Sequence, residues 1–265
     1  MSSYTIKNRE TSQKRIEKLG ITRELFHSAP DIVMQRLNSL DNIGTRVMTM
    51  CHLLSSAEAK SSPHYQYYSN EYRQLCNAHH HLIGCNTTKY DDLERAKIWK
   101  QIDEVYINNS ALRNDTEINR FLLASYYKHM VPRRCELGDI RLVAEMEDCD
   151  NEHNFIVMNE SDPRMVLNDY KTAMHYKRYS ERLSPDFYAD LKKTMSVPRS
   201  TLFVSGIKSR NAFSNFVKRT LGVGVSDLRH IYITDNMKTA NYNDRIKTAR
   251  AMGHSVDMQM QYLYL

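Results

Sequence analysis

The C-terminal third of the chain concentrates residues whose types suit phosphate chemistry. Arg229 stands in the segment SDLRHIYIT, and His254 follows 25 residues later in AMGHSVDMQMQYLYL, a tail that also carries Tyr262 and Tyr264. Upstream, VPRRCEL holds Arg133 with Glu136 three positions on, and LNDYKTAMHYKRY holds Lys171 next to Thr172. A guanidinium stays protonated and can grip phosphate oxygens with two parallel donors. Imidazole can donate a hydrogen bond or move a proton near neutral pH, a lysine can protonate a leaving oxygen, and a phenol oxygen can attack phosphorus. Each residue also has an ordinary reading. Arg133 and Arg134 could form a solvated helix end, and Lys171 or Lys177 could be a surface lysine. His254 after Gly253 could cap a helix, and Tyr262 could be a core aromatic. Only the joint order Arg, Lys, Arg, His, Tyr sets them apart.

A second constellation, Cys76, His79, His80, His81 and Cys85, holds metal-ligand residue types within ten positions. Its spacing matches no common zinc pattern, and adjacent histidines on a helix point in different directions. These residues read as helix surface, and no metal or cofactor is expected.

The elements that must position the first set come in two groups. ETSQKRIEKL, PDIVMQRLNSL with Pro30 at a helix start, the segment from Gly44 to Leu54, and YYSNEYRQLCNAHHHLI read as helices broken by turn signals. GCNTTKYDD then supplies a helix stop and a fresh N-cap, which puts a domain boundary near residues 84 to 92. Beyond it, ERAKIWKQIDEVYINNS and TEINRFLLASYYKHMV carry apolar residues at helical intervals. IRLVAEM, NFIVMN, RMVLNDYKT and HYKRYSERL are short and rich in β-branched and aromatic residues, which predicts a small antiparallel sheet. Helical patterns resume in PDFYADLKKTM, RNAFSNFVKRTL, VSDLRHIYIT and NDRIKTARAMGHS. The expected class is α+β: a small all-helical domain over residues 1–88, then a mainly helical domain with a small sheet over residues 89–265.

The composition excludes several classes. With 41% hydrophobic and 26% charged residues and only 8 Gly and 6 Pro, the chain is neither disordered nor repetitive. No apolar run nears the ~20 residues of a membrane span, and the start MSSYTIKNRE has no signal-like apolar core. Five cysteines at irregular spacing suit free thiols in a reducing compartment, so an intracellular location is expected. The net charge of +6 points to a polyanionic partner. Residues 1–90 carry 11 Lys/Arg against 7 Asp/Glu, so the small front part is the more basic.

The L-R-H helix, the G-H-S turn, the arginine with a glutamate three positions later, the K-T pair and the terminal tyrosine together resemble the signature of the tyrosine recombinase/integrase family. The P-R-R and M-G-H-S phrasing is similar to versions carried by large DNA viruses and virophages. The resemblance covers the second domain; the first resembles the family's helical core-binding domain only in position, size and texture. It implies that Arg133 and Arg229 grip the scissile phosphate and that His254 donates to a non-bridging oxygen or assists proton transfer. Lys171 would protonate the departing 5′ oxygen, and a tail tyrosine would form a 3′-phosphotyrosyl bond. It also implies double-stranded DNA as partner, two domains closing as a C-shaped clamp, and a homotetramer on paired sites. A metal-free enzyme needs such fixed cations, because charge gathers on the phosphate oxygens during attack. Two departures stand out. Ser226 occupies the position three before Arg229 where the family often has histidine. Tyr262 and Tyr264 lie eight and ten residues after His254, flanking the usual ninth position, and the polar run before Tyr262 favours it as nucleophile. A type IB topoisomerase uses the same cleavage chemistry, and a catalytically silent DNA-binding protein with this fold is the alternative from another class.

Overall fold

The computed structural model describes residues 3–85, 90–204, 207 and 209–260. The chain divides into two compact units, Met1–Asn86 and Thr87–Leu265. The first unit is helical throughout: α1 (Ser3–Lys18), α2 (Arg23–Ser28), α3 (Pro30–Asn38), α4 (Ile43–Leu54), α5 (Ala57–Lys60) and α6 (Tyr65–Cys85). Thr22 and Asn42 start α2 and α4 by accepting the backbone N–H groups of Leu25 and Thr45. Pro30 opens α3, where its missing N–H is of no consequence. Val33, Leu37, Met50 and Tyr68 are fully buried between these helices. Tyr68 stacks on Phe26 and donates its hydroxyl to the Phe26 carbonyl, so its polar end is satisfied inside the core. His79 is half-buried, and its ring lies beside Gly44; the side chains of His80, His81 and Cys85 lie outside the described residues.

In the second unit, α7 (Asp92–Asn108) begins with a reciprocal capping box between Asp91 and Glu94. α8 (Asp115–His129) is buried on nearly every side from Ile118 to Tyr127, as befits the helix at the centre of the unit. A 3-10 turn, Cys135–Asp139, leads into a four-stranded sheet of β1 (Arg141–Val143), β2 (Phe155–Val157), β3 (Arg164–Leu167) and β4 (Tyr179–Arg182), in that spatial order. The one-turn helix α9 (Ala173–Tyr176) sits in the β3–β4 connection. Helices α10 (Pro185–Lys193), α11 (Arg210–Leu221), α12 (Val225–Met237), α13 (Tyr242–Met252) and α14 (Val256–Met260) follow. The α+β, mainly helical class expected from the sequence is the observed one.

The sheet is mixed rather than wholly antiparallel. β2–β3 and β3–β4 are antiparallel, with Phe155 opposite Val166 and Arg164 opposite Arg182, whereas β1 and β2 run parallel, with Arg141 opposite Phe155. Residues 144–154 carry the chain back across the sheet through a 3-10 turn at Met146–Asp148, so a short irregular crossover replaces the expected hairpin. Alternation of apolar residues encodes a strand but not its direction. Cys51, Cys76, Cys135 and Cys149 are free thiols. Among the described residues, no helix is long and apolar enough to cross a membrane.

Candidate active site

Arg133 is fixed first by its backbone. Tyr126, on the buried face of α8, donates its hydroxyl to the Val131 carbonyl at 2.9 Å and accepts the Arg133 N–H at 3.2 Å. The Arg133 side chain is 1% exposed. Its guanidinium carbon lies 4.1 Å from the centre of the Tyr179 ring on β4 and 5.9 Å from that of Tyr170. Arg133 forms no ion pair with a carboxylate among the described residues, and its Nε and Nη2 have no hydrogen-bond partner. The nearby Glu181 accepts the Tyr179 hydroxyl at 2.8 Å. Burial pushes the Glu181 carboxyl up, and the charge of Arg133 opposes that.

Arg229 lies on the buried side of α12 and is also 1% exposed. Its Nη1 donates to the carbonyls of Pro132 and Met252 at 3.2 and 3.1 Å, which ties the Arg133 segment to the end of α13. Its Nη2 lies 3.0 Å from His254 Nδ1. A guanidinium can only donate, so Nδ1 accepts and the ring proton of neutral His254 sits on Nε2. Burial, and then the charges of Arg229, Arg134, Arg133 and His230, hold the His254 pKa down at about 3. His254 is therefore neutral at physiological pH and carries its ring proton on Nε2.

The end of α13 explains how His254 arrives there. Gly253 takes a left-handed conformation at φ 69°, with its N–H bonded to the Arg250 carbonyl and the His254 N–H bonded to the Ala249 carbonyl, which is the Schellman pattern. A Cβ at Gly253 would lie 3.3 Å from both Arg133 Nη1 and Thr172 Oγ1. The Thr172 hydroxyl donates to the Gly253 carbonyl at 2.8 Å, so the turn that carries Lys171 is tied to the arginine cluster.

That turn is braced on its other side as well. Buried Asn154 accepts the N–H groups of Asn168 and Asp169 at 2.9 Å each and donates to the Asp169 carbonyl at 2.8 Å. Arg210, at the start of α11, donates to the Asp169 carbonyl and carboxylate and to Asp139. Lys171 is exposed between these anchors.

The structure thus brings together Arg133, Arg229, His254 and the backbone of Lys171. Glu136 is buried in the 3-10 turn without an ion pair to Arg133, and its Oε2 has no hydrogen-bond partner. Ser226 is exposed in the first turn of α12, one turn before Arg229. Tyr262 and Tyr264 lie outside the described residues; the described chain ends with α14 at Met260, two residues before Tyr262. Sequence reasoning did not single out Tyr126, Tyr179, Asn154 or Arg210. The aromatics read as strand and core packing, and nothing in their spacing marks them. Two guanidiniums with an imidazole repel a divalent cation more than they ligate one, so the donor set suits an anion. No family model, curated protein or solved structure matches the chain.

Proposed function

We propose that the second unit is a DNA strand transferase of the tyrosine recombinase kind, acting through a tyrosine of the C-terminal tail. The observation that carries this reading is the buried Arg133 guanidinium, whose Nε and Nη2 have no partner, packed beside the Arg229–His254 pair. A buried cation with no carboxylate in ion-pair contact is costly, and an arriving phosphate oxygen relieves that cost. Arg133 offers two free donors, and neutral His254 offers Nε2–H; together they meet the charge that develops on non-bridging oxygens. The Tyr262 oxygen forms a bond to phosphorus as the bond to the 5′ oxygen breaks. Lys171 supplies the proton that oxygen takes, and the phenol proton passes to solvent. The phosphotyrosyl bond conserves the energy of the broken phosphodiester, so a 5′ hydroxyl can reopen it without a nucleotide cofactor. The excess positive charge of the first unit, 10 Lys/Arg against 7 Asp/Glu over residues 1–86, supports it as a DNA-binding unit.

The test is incubation of the full chain with a nicked duplex in the presence of chelator, followed by denaturing electrophoresis. A denaturation-resistant protein–DNA adduct is expected. Tyr262→Phe abolishes it, while Tyr264→Phe retains it. An adduct that survives in the double variant refutes tyrosine chemistry by this tail, and absence of any adduct leaves a silent DNA-binding protein. Strand exchange between two duplexes, rather than relaxation of a supercoiled circle alone, separates recombinase from topoisomerase.

A further inference from the structure

Two free thiols of the first unit meet at one hydroxyl, and the reaction above uses none of the three groups. Cys51 is exposed on α4, and Cys76 is half-buried on α6. Tyr72 stands one turn before Cys76 on the same face of α6, and its side chain packs against the core of the unit. Its hydroxyl lies within hydrogen-bond reach of both sulfurs. The contact with Cys76, then burial, then the contact with Cys51 push the phenol pKa well above its usual range.

The packing of the two helices places these groups together independently. α4 packs directly on α6. A Cβ at Gly44, near the start of α4, would lie 3.1 Å from His79 Nε2 on α6. Cys51 stands two turns further along α4, and Tyr72 stands two turns back along α6 from His79. The helices therefore run antiparallel, with Cys51 and Tyr72 at one level and Cys76 one turn away. Two sulfurs that both reach one oxygen are within roughly 8 Å of each other. Each can change rotamer to approach the separation of about 2 Å that a disulfide needs.

We propose that Cys51 and Cys76 are a redox modification site, at which a peroxide drives formation of a reversible disulfide that joins α4 to α6. Cys51, the exposed thiol, reacts first. Its sulfur attacks one peroxide oxygen, the O–O bond breaks, and the thiol proton goes to the departing oxygen. The products are a Cys51 sulfenic acid and water or an alcohol. The Cys76 sulfur then attacks the Cys51 sulfur; the S–S bond forms, the S–O bond breaks, and the hydroxyl leaves as water with the Cys76 proton. Two thiols are oxidised and one peroxide is reduced, and a dithiol returns both thiols by exchange. The Tyr72 hydroxyl gives up its contacts with both sulfurs as the bond closes. The site belongs to the first unit and operates whether or not the second unit cleaves DNA.

The full chain is treated with limiting hydrogen peroxide, alkylated, cut with trypsin and mapped by mass spectrometry with and without dithiothreitol. Cutting at Lys60 and Arg73 separates the two cysteines, so only a disulfide keeps them in one species. The wild type is expected to yield that linked species within single chains, and dithiothreitol to split it, while Cys135 and Cys149 stay open to alkylation. Cys85 shares a tryptic peptide with Cys76, so Cys85→Ser is the control and retains the link. Cys76→Ser abolishes the link and leaves Cys51 to go on to sulfinic acid, which dithiothreitol does not reverse. Absence of a Cys51–Cys76 link within one chain overturns the proposal, whether peroxide instead over-oxidises Cys51, joins it to Cys85 or joins two chains.

Discussion

Two buried charges in the second unit lead opposite lives. Asp190 on α10 is 2% exposed and saturated: Tyr106 and Ser125 donate to one carboxylate oxygen at 2.8 Å each, and Lys193 donates to the other at 2.7 Å. Burial alone would push its carboxyl up, but Lys193, Ser125 and Tyr106 outweigh it and hold it below the ordinary range. Arg133 is equally buried, yet it rests on aromatic faces with two donors unfilled. A saturated buried charge joins elements, here α7, α8 and α10; an unsaturated one leaves donors that an outside group could fill, which is the role proposed for Arg133. Burial is alike in both places and the charges are equal in size though opposite in sign, so completeness of partners is what differs between them.

The sharpest way to break this comparison is to remove each charge in turn. Arg133→Gln is expected to slow adduct formation by roughly 100-fold or more without lowering the melting temperature. A matching loss of stability would make Arg133 scaffold like Asp190. Asp190→Ala is expected to cost about 3 kcal/mol in urea unfolding, because it strands the buried Ser125 hydroxyl and removes the partner of half-buried Tyr106. Folded Asp190→Ala protein should still cleave at close to the wild-type rate.

Gly253→Ala tests the joint between the helix end and the cluster. It is expected to cost about 1–2 kcal/mol from the left-handed backbone alone, and its methyl presses on Arg133 and Thr172, so activity should fall with stability. The smallest effect concerns pH. His254 is depressed from 6.5 to about 3 in the folded chain, so below pH 6.5 the unfolded chain binds the extra proton and stability falls as pH drops through that window. Between pH 7.5 and 5.5 the loss should be on the order of 1 kcal/mol and absent in His254→Asn, as read by denaturation at each pH. Asp190, with its pKa lowered, contributes stability that is lost only at more acid pH, below the ordinary carboxylate value near 4. A His254→Asn variant with an unchanged pH profile would place the titrating group elsewhere.

Much of this was legible in the sequence. Caps and breakers such as Asp91, Pro30 and Gly253 announce helix ends because each acts on its own neighbours. Arg133, Arg229 and His254 were found by type and order, and the structure packs them together. The parallel β1–β2 pair was not legible, since three-residue strands carry no signal for direction. Nor was the bracing by Asn154 and Arg210, because their partners at Asp169 and Asp139 are 15 to 71 residues away and depend on the folded path. Tyr179 was hidden for a different reason: an aromatic at a strand start looks the same whether it faces a leucine or a guanidinium.

Arg229 carries a consequence for descent. Its guanidinium holds the Pro132 and Met252 carbonyls and His254 at once, so it is a fastener between three segments irrespective of any reaction. If the chain cleaves DNA as proposed, a lineage that abandoned cleavage would remain under selection to keep Arg229 for folding, while Arg133, whose side chain leans on the Tyr179 ring but joins no carbonyls, would drift. On the proposed strand-transfer reading, an intact Arg229 in a descendant of this chain reports only that the protein still folds, and the state of Arg133 reports whether it still cleaves.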